Sequence, residues 1–147
     1  MGLFDAIGSS ASGMQAERLR MDVVSENLAN AETTKGADGQ PYRRKEVVFQ
    51  EAGQTGQTFA SILAGVNGSA PTHGVKVSGI VEDQTALKRI YDPGHPDADK
   101  DGYVTMPNVN TVTEMTDLIS ASRSYEANVT AMQTAKTMFS KTLDLLR

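Results

Sequence analysis

Cysteine and tryptophan are both absent from the 147 residues. Without a thiol there is no disulfide, no zinc–thiolate site and no thiol nucleophile, and the redox compartment is left open. Aromatic residues are scarce, 5% of the chain against 39% hydrophobic residues in all. A core of large rings that would offset conformational entropy is therefore not available. Basic charge is also short: 14 Lys and Arg face 18 Asp and Glu, a net charge of −4. A binder of nucleic acid needs a basic face for the phosphates, so this balance argues against one. No apolar run is long enough to span a bilayer, which argues against an integral membrane protein. The first basic residue is Arg18, and Asp5, Gly8, Ser9, Ser10 and Ser12 interrupt the apolar stretch before it, so a cleaved secretory leader is not expected. Met1-Gly2 resembles a myristoylation start, but Ala6 stands where that motif needs Ser or Thr.

Proline and glycine are missing from particular places. No proline lies between Leu3 and Ala31, and neither residue occurs from Asn108 to Arg147. The middle holds all five prolines and ten of the 13 glycines. As the strongest local breakers of regular structure, they divide the chain into 1–31, 32–107 and 108–147. In the last zone Met115, Leu118, Ser122, Tyr125, Val129, Met132, Lys136, Phe139, Leu143 and Leu146 fall at alternating steps of three and four. Such a stripe is the seam of a coiled coil. Thr111-Val112-Thr113-Glu114 has the capping-box form that starts a helix. A helix from Thr111 to Leu146 would be roughly 54 Å long at about 1.5 Å per residue. In the first zone Ile7, Met14, Met21 and Leu28 recur every seven residues, with Phe4, Ala11 and Val24 as a broken second line. Gly8 and Gly13 each cost about 1 kcal/mol against Ala in a helix interior, so this helix depends on what it packs against. The plain reading of both stripes is a helical hairpin core. Their length, and small residues such as Ala121, Ser122, Ser124, Ala127, Ala131 and Ala135, point instead to packing against further helices.

The middle reads as short strands and loops. Tyr42–Phe49, Val75–Val81 and Leu87–Tyr91 carry strand-like runs and suggest a β-hairpin with a half-buried face. Residues 53–74 are rich in Gly, Ser and Thr, with one apolar patch at Phe59–Val66, and are expected to be mobile. The expected fold class is α+β, mainly α: long N- and C-terminal helices pairing as an α-helical coiled coil, with a small β-hairpin and loop insert between them.

Chemistry-bearing patterns are few. Asp97-Ala98-Asp99-Lys100-Asp101-Gly102 copies the opening of a calcium loop, making Asp97, Asp99 and Asp101 weak metal candidates. The bidentate Glu of the full motif is replaced by Asn108, and Pro93, Pro96 and Pro107 forbid the flanking helices. An acidic turn bonding its own backbone accounts for the same residues, and a calcium-binding interaction module is the alternative reading. His73 and His95 are not at metal spacing. No phosphate loop or nucleophile elbow occurs, so no catalytic residue, cofactor or small-molecule substrate is expected.

Asn27-Leu28-Ala29-Asn30, followed by Thr33 and Thr34, marks the end of the first helix. Asn30 tolerates a left-handed exit and Asn27 can bond the backbone around it, while a plain helix stop accounts for the same residues. This motif resembles the shared N-terminal motif of bacterial flagellar rod and hook proteins. Tyr91-Asp92-Pro93-Gly94-His95-Pro96-Asp97-Ala98-Asp99, Gly102-Tyr103-Val104 and Pro107-Asn108-Val109-Asn110 are similar to the proximal-rod members, as is the helix through Leu118-Ile119 and Arg123–Asn128 to Met138. The resemblance implies a structural subunit that stacks helically with its own copies and with other rod proteins. It also implies contact with membrane-ring or rod-adaptor proteins and with the export apparatus. By the same resemblance the chain is exported without a cleaved signal and resides in the periplasmic rod of the basal body. The terminal helices would form the inner layer, with the insert outside it.

Overall fold

The computed structural model describes residues 3–36, 39–52 and 74–145. The element order is α1 (Leu3–Ala29), β1 (Lys45–Glu51), β2 (Val75–Glu82), β3 (Lys88–Tyr91), β4 (Tyr103–Met106) and α2 (Thr111–Leu145). The two zones poor in breakers are thus the two long helices, of 27 and 35 residues. The apolar patch Phe59–Val66 lies outside the described residues.

The helices pack against each other along their lengths, the most extensive contact between elements. They run antiparallel: Asn27 meets Glu114, Arg20 meets Asp117 and Gly13 meets Asn128. The buried positions are small or polar, namely Ala16, Val23, Val24 and Asn27 on α1 and Glu114, Ala121 and Ala135 on α2. Few aromatics are needed because the helices lie close enough for such residues to fill the gap. Gly13 allows that approach, since a Cβ there would lie 2.9 Å from the Asn128 side chain. Ala121 and Ala135 are occupied within the pair, leaving Ala127 and Ala131 exposed.

The strands form two separate antiparallel pairs, β1 with β2 and β3 with β4. This corrects the single hairpin expected from Tyr42–Phe49, Val75–Val81 and Leu87–Tyr91. The second run pairs backwards with β1, with a register shift at Val48/Phe49. The third pairs forwards with Tyr103–Met106, a four-residue strand that the sequence did not single out. The polar break between β2 and β3 is tied elsewhere. Asn108 Nδ2 donates to Asp83 O at 3.2 Å and to Thr85 Oγ1 at 2.8 Å.

Residues 92–102 close the second pair as a turn. Asp92 N donates to Gly102 O at 2.9 Å and Asp99 N to Tyr103 O at 2.8 Å. Gly102 has φ +80°, and a Cβ there would meet the Tyr91 ring at 2.9 Å, so glycine alone fits. Tyr91 and Tyr103 meet edge to face at 5.3 Å, with Arg89 over Tyr103. Among the described residues no helix is long and apolar enough to cross a membrane.

Candidate functional site

Three segments distant in sequence converge where α1 ends and α2 begins. Asn27, fully enclosed, uses every hydrogen-bonding position of its amide. Its Nδ2 donates to Lys45 O at 2.9 Å and to Glu114 Oε2 at 3.0 Å. Its Oδ1 accepts from Lys45 N and from the Tyr42 hydroxyl, both at 2.9 Å. Glu114, 1% exposed, receives Arg44 Nε on its other oxygen at 2.6 Å. Arg44 also pairs with Glu46, with Asp83 at 3.8 Å and with Asp117 at 3.7 Å, while Arg20 reaches Asp117 from α1 at 3.6 Å. The Arg44 backbone N–H donates to Asn108 Oδ1 at 2.9 Å, joining the insert to the approach of α2.

The electrostatics follow from this crowding. Burial opposes the charge of Arg44, but its hydrogen bonds to Glu114 and Glu46 outweigh that, so its affinity for the proton rises. Asp83 is held below the usual carboxylate range by the backbone N–H and hydroxyl of Thr85, with Arg44 and Arg43 adding to the effect. Tyr42 is pushed up to about 12 by burial first and then by Glu26, Glu114 and Glu82. A phenol whose folded value exceeds its unfolded value of about 10 binds its proton more tightly in the native state. Its contribution to stability is therefore complete below about pH 10 and lost as the pH rises through about 12. We expect phenolate absorbance to show a late component near pH 12 that Tyr42→Phe removes. The same substitution should flatten the fall in helix stability over that window. An alkaline profile identical to the parent's would contradict this account.

Two sequence expectations at this junction are corrected. Glu114 does not cap α2. Asn110 does, accepting Val112 N on Oδ1 at 3.1 Å and Glu114 N on its carbonyl at 3.0 Å. The carboxylate turns inward because Arg44 and Asn27 offer it charge-assisted partners that a backbone N–H does not match. Asn30 does not exit left-handed, for among the described residues no non-glycine has positive φ. Its Nδ2 instead donates back to Glu26 O at 2.9 Å and its Oδ1 accepts the Thr33 hydroxyl at 3.2 Å, so the motif ends the helix through side-chain bonds.

The remaining motif residues lie apart from the junction. Leu28 is half-buried and Ala29 exposed at the end of α1. Pro93, Gly94, His95 and Pro96 form the β3–β4 turn, where His95 Nδ1 accepts Asp97 N at 3.1 Å. Among the described residues no group of three or more His, Asp or Glu side chains is placed to hold a metal ion. Asp97 accepts the hydroxyl of the distant Thr34 at 2.8 Å, tying the turn to the segment after α1, and Asp99 accepts Lys100 N at 2.9 Å within the turn. Of the seam positions, Ile7, Met14, Met21, Leu28, Leu118, Tyr125, Val129 and Met132 are half-buried. Met115, Phe139 and Leu143 are exposed, and Leu146 lies outside the described residues. Sequence reasoning did not single out Arg44 or Tyr42. Its one available signal was a basic run, Arg43-Arg44-Lys45, entering a strand.

Comparison with known proteins gives two family matches, one at each end of the chain. Residues 7–37 match the flagella basal body rod protein model, and residues 100–145 match the C-terminal model of flagellar basal body rod FlgEFG proteins. Asn27 lies in the first and Glu114 in the second, while Tyr42, Arg44 and Lys45 lie between them. The chain is 49% identical over 151 aligned residues to flagellar basal-body rod protein FlgC of Bacillus subtilis (strain 168), covering 99% of each chain. It is 43% identical over 151 residues to FlgC of Borreliella burgdorferi, covering 100% of this chain and 99% of the relative. Against FlgC of Salmonella typhimurium it is 45% identical over 145 residues, covering 99% of this chain and 96% of the relative.

Proposed function

Because the chain belongs to the family of flagellar basal-body rod proteins of the FlgC type, we propose that its two ends form one unit of a helical wall. The protein is a structural subunit of the rod of the bacterial flagellar basal body, and it assembles with other flagellar rod components. In our reading it belongs to the proximal rod, in the periplasm, and carries torque from the membrane ring towards the hook without catalysing any reaction. The segments 1–31 and 108–147 make the inner layer, pairing as a coiled coil, and 32–107 stands outside it. The ring or rod-adaptor proteins and the export apparatus are its other partners.

One observation carries this reading. The chain's two ends form a narrow antiparallel helix pair that still leaves an apolar groove of about 620 Å³ between its members. Small side chains, among them Ala6, Ser10, Ala127, Ala131 and Ala135, line it together with Met138. A groove of this kind suits a further helix, because small residues allow close backbone approach. The seam of Ile7, Met14, Met21 and Leu28 with Met115, Leu118, Tyr125, Val129, Met132, Phe139, Leu143 and Leu146 would then be shared between the pair and its neighbours. Fully burying such side chains is worth about 1.5–3 kcal/mol each before ordering costs. The test is to isolate basal bodies from cells producing this chain and to locate it by electron cryomicroscopy. We expect density for α1 and α2 on the inner wall of the rod next to the membrane ring. Density for the helices on the outside of the rod, or none in it, would overturn the arrangement.

A further inference from the structure

The apolar part of the α1–α2 interface is poorly suited to choosing its own register. Its buried members are Ala16, Val23, Val24, Ala121 and Ala135, and Gly13 adds no side chain at all. Asn27 with Glu114 and Gly13 with Asn128 are fourteen residues apart on each helix, two heptads, so a single register runs through the interface. A slide of one heptad would set Gly13 opposite Ala121 and Ala6 opposite Asn128, again small residues against modest ones. It would also bring Arg20 opposite Glu114 and so offer the carboxylate a replacement cation. Packing alone therefore does little to exclude the slide.

The polar groups do exclude it. In the slid register Asn27 falls opposite Pro107, before α2 begins, and loses Glu114. Its bonds to both the N–H and the carbonyl of Lys45 fix α1 to β1, and the bond from Arg44 N to Asn108 fixes β1 to the start of α2. In the observed alignment every hydrogen-bonding position of the Asn27 amide and both oxygens of Glu114 are occupied, and the slide takes from Asn27 the carboxylate that no other α2 residue replaces. A single buried polar residue is the best attested way for a protein to fix helix register, at some cost in stability. We infer that the Asn27–Glu114 pair is the register pin of the α1–α2 helix pair, with Arg44 and Lys45 as its anchors.

The absence of cysteine makes the test direct, since any introduced pair is the only thiol pair present. Ser10→Cys with Ala131→Cys reports the observed register, both residues lining one groove. Ser10→Cys with Ser124→Cys reports the slid one, because seven residues along a helix is about 10 Å, too far for a disulfide in the observed alignment. Each pair is oxidised in the dilute full-length chain, and the monomeric disulfide yield is compared in the parent and in Asn27→Ala. We expect the ratio of slid to observed cross-link to rise about tenfold in Asn27→Ala. An unchanged ratio in a variant of parental helix content would overturn the inference and assign the register to chain connectivity. Should Asn27→Ala lose its helix signal, Glu114→Gln, which keeps the volume and one acceptor, decides on the same ratio. A rise supports the pin and a parental ratio overturns it.

Discussion

Glu114→Ala should lower the unfolding free energy by about 3 kcal/mol, because it breaks a buried ion pair and leaves the partner behind. Arg44 would keep Glu46, Asp83 and Asp117 near its terminal nitrogens, but its Nε would lose the carboxylate at 2.6 Å. Asn27 would be left with an amide hydrogen unpaired in a site with no exposure to water. Each such orphan costs about 1–3 kcal/mol, which is why the effect exceeds that of an ordinary surface change. Glu114→Gln should cost less, about 1–2 kcal/mol, because its carboxamide can still accept from one of the two donors. Denaturant titration followed by far-ultraviolet circular dichroism gives both values. If Glu114→Ala unfolds at the parental midpoint, the junction does not hold the helices together.

Met132→Asp should abolish rod assembly, and with it swimming, while β1–β2 and β3–β4 stay paired in the isolated chain. Met132 is half-buried on α2, so the monomer gives up only part of its apolar contact. In an assembled wall the loss recurs in every copy, and each interface must also desolvate a carboxylate, which costs far more than the missing side chain. Leu28→Asp, half-buried near the end of α1, should act the same way. Swimming in soft agar and recovery of basal bodies measure the assembly defect, and strand amide signals in solution report the insert. Cells that swim normally on intact rods carrying either substitution would remove these positions from the assembly surface. The comparison of this pair with Glu114→Ala separates contacts between subunits from contacts within one.

Much of the architecture was legible in the amino acids. The zones without proline and poor in glycine became α1 and α2 within a residue or two of the expected helix ends, because proline and glycine act locally and need no tertiary information. The two helices that carry the heptad stripes pack together, but the enclosed positions on α2 are Glu114, Ala121 and Ala135, each one residue before a stripe position, Met115, Ser122 and Lys136. A hydrophobic pattern locates a face to within one position. Small residues at that boundary are easily passed over, since they contribute through close approach rather than through transferred area.

Partner choice was hidden. Val75–Val81 alternates as a strand should, yet nothing in that run says whether it pairs with Tyr42–Phe49 or Leu87–Tyr91. Strand pairing is a long-range property: β2 pairs with β1, and the pair is carried on by Asp83 N donating to Arg44 O at 2.8 Å. Glu114 shows the same limit. Its spacing from Thr111 fits a cap, and only the arrival of Arg44 and Asn27 from other segments turns it inward. The sequence by itself determined two terminal helices, an interrupted middle and, through Asn27–Asn30 and Pro93–Pro96, the family. Tertiary structure alone decided which helix faces meet, in what alignment and around which charges, because those choices depend on groups that are neighbours in space and strangers along the chain.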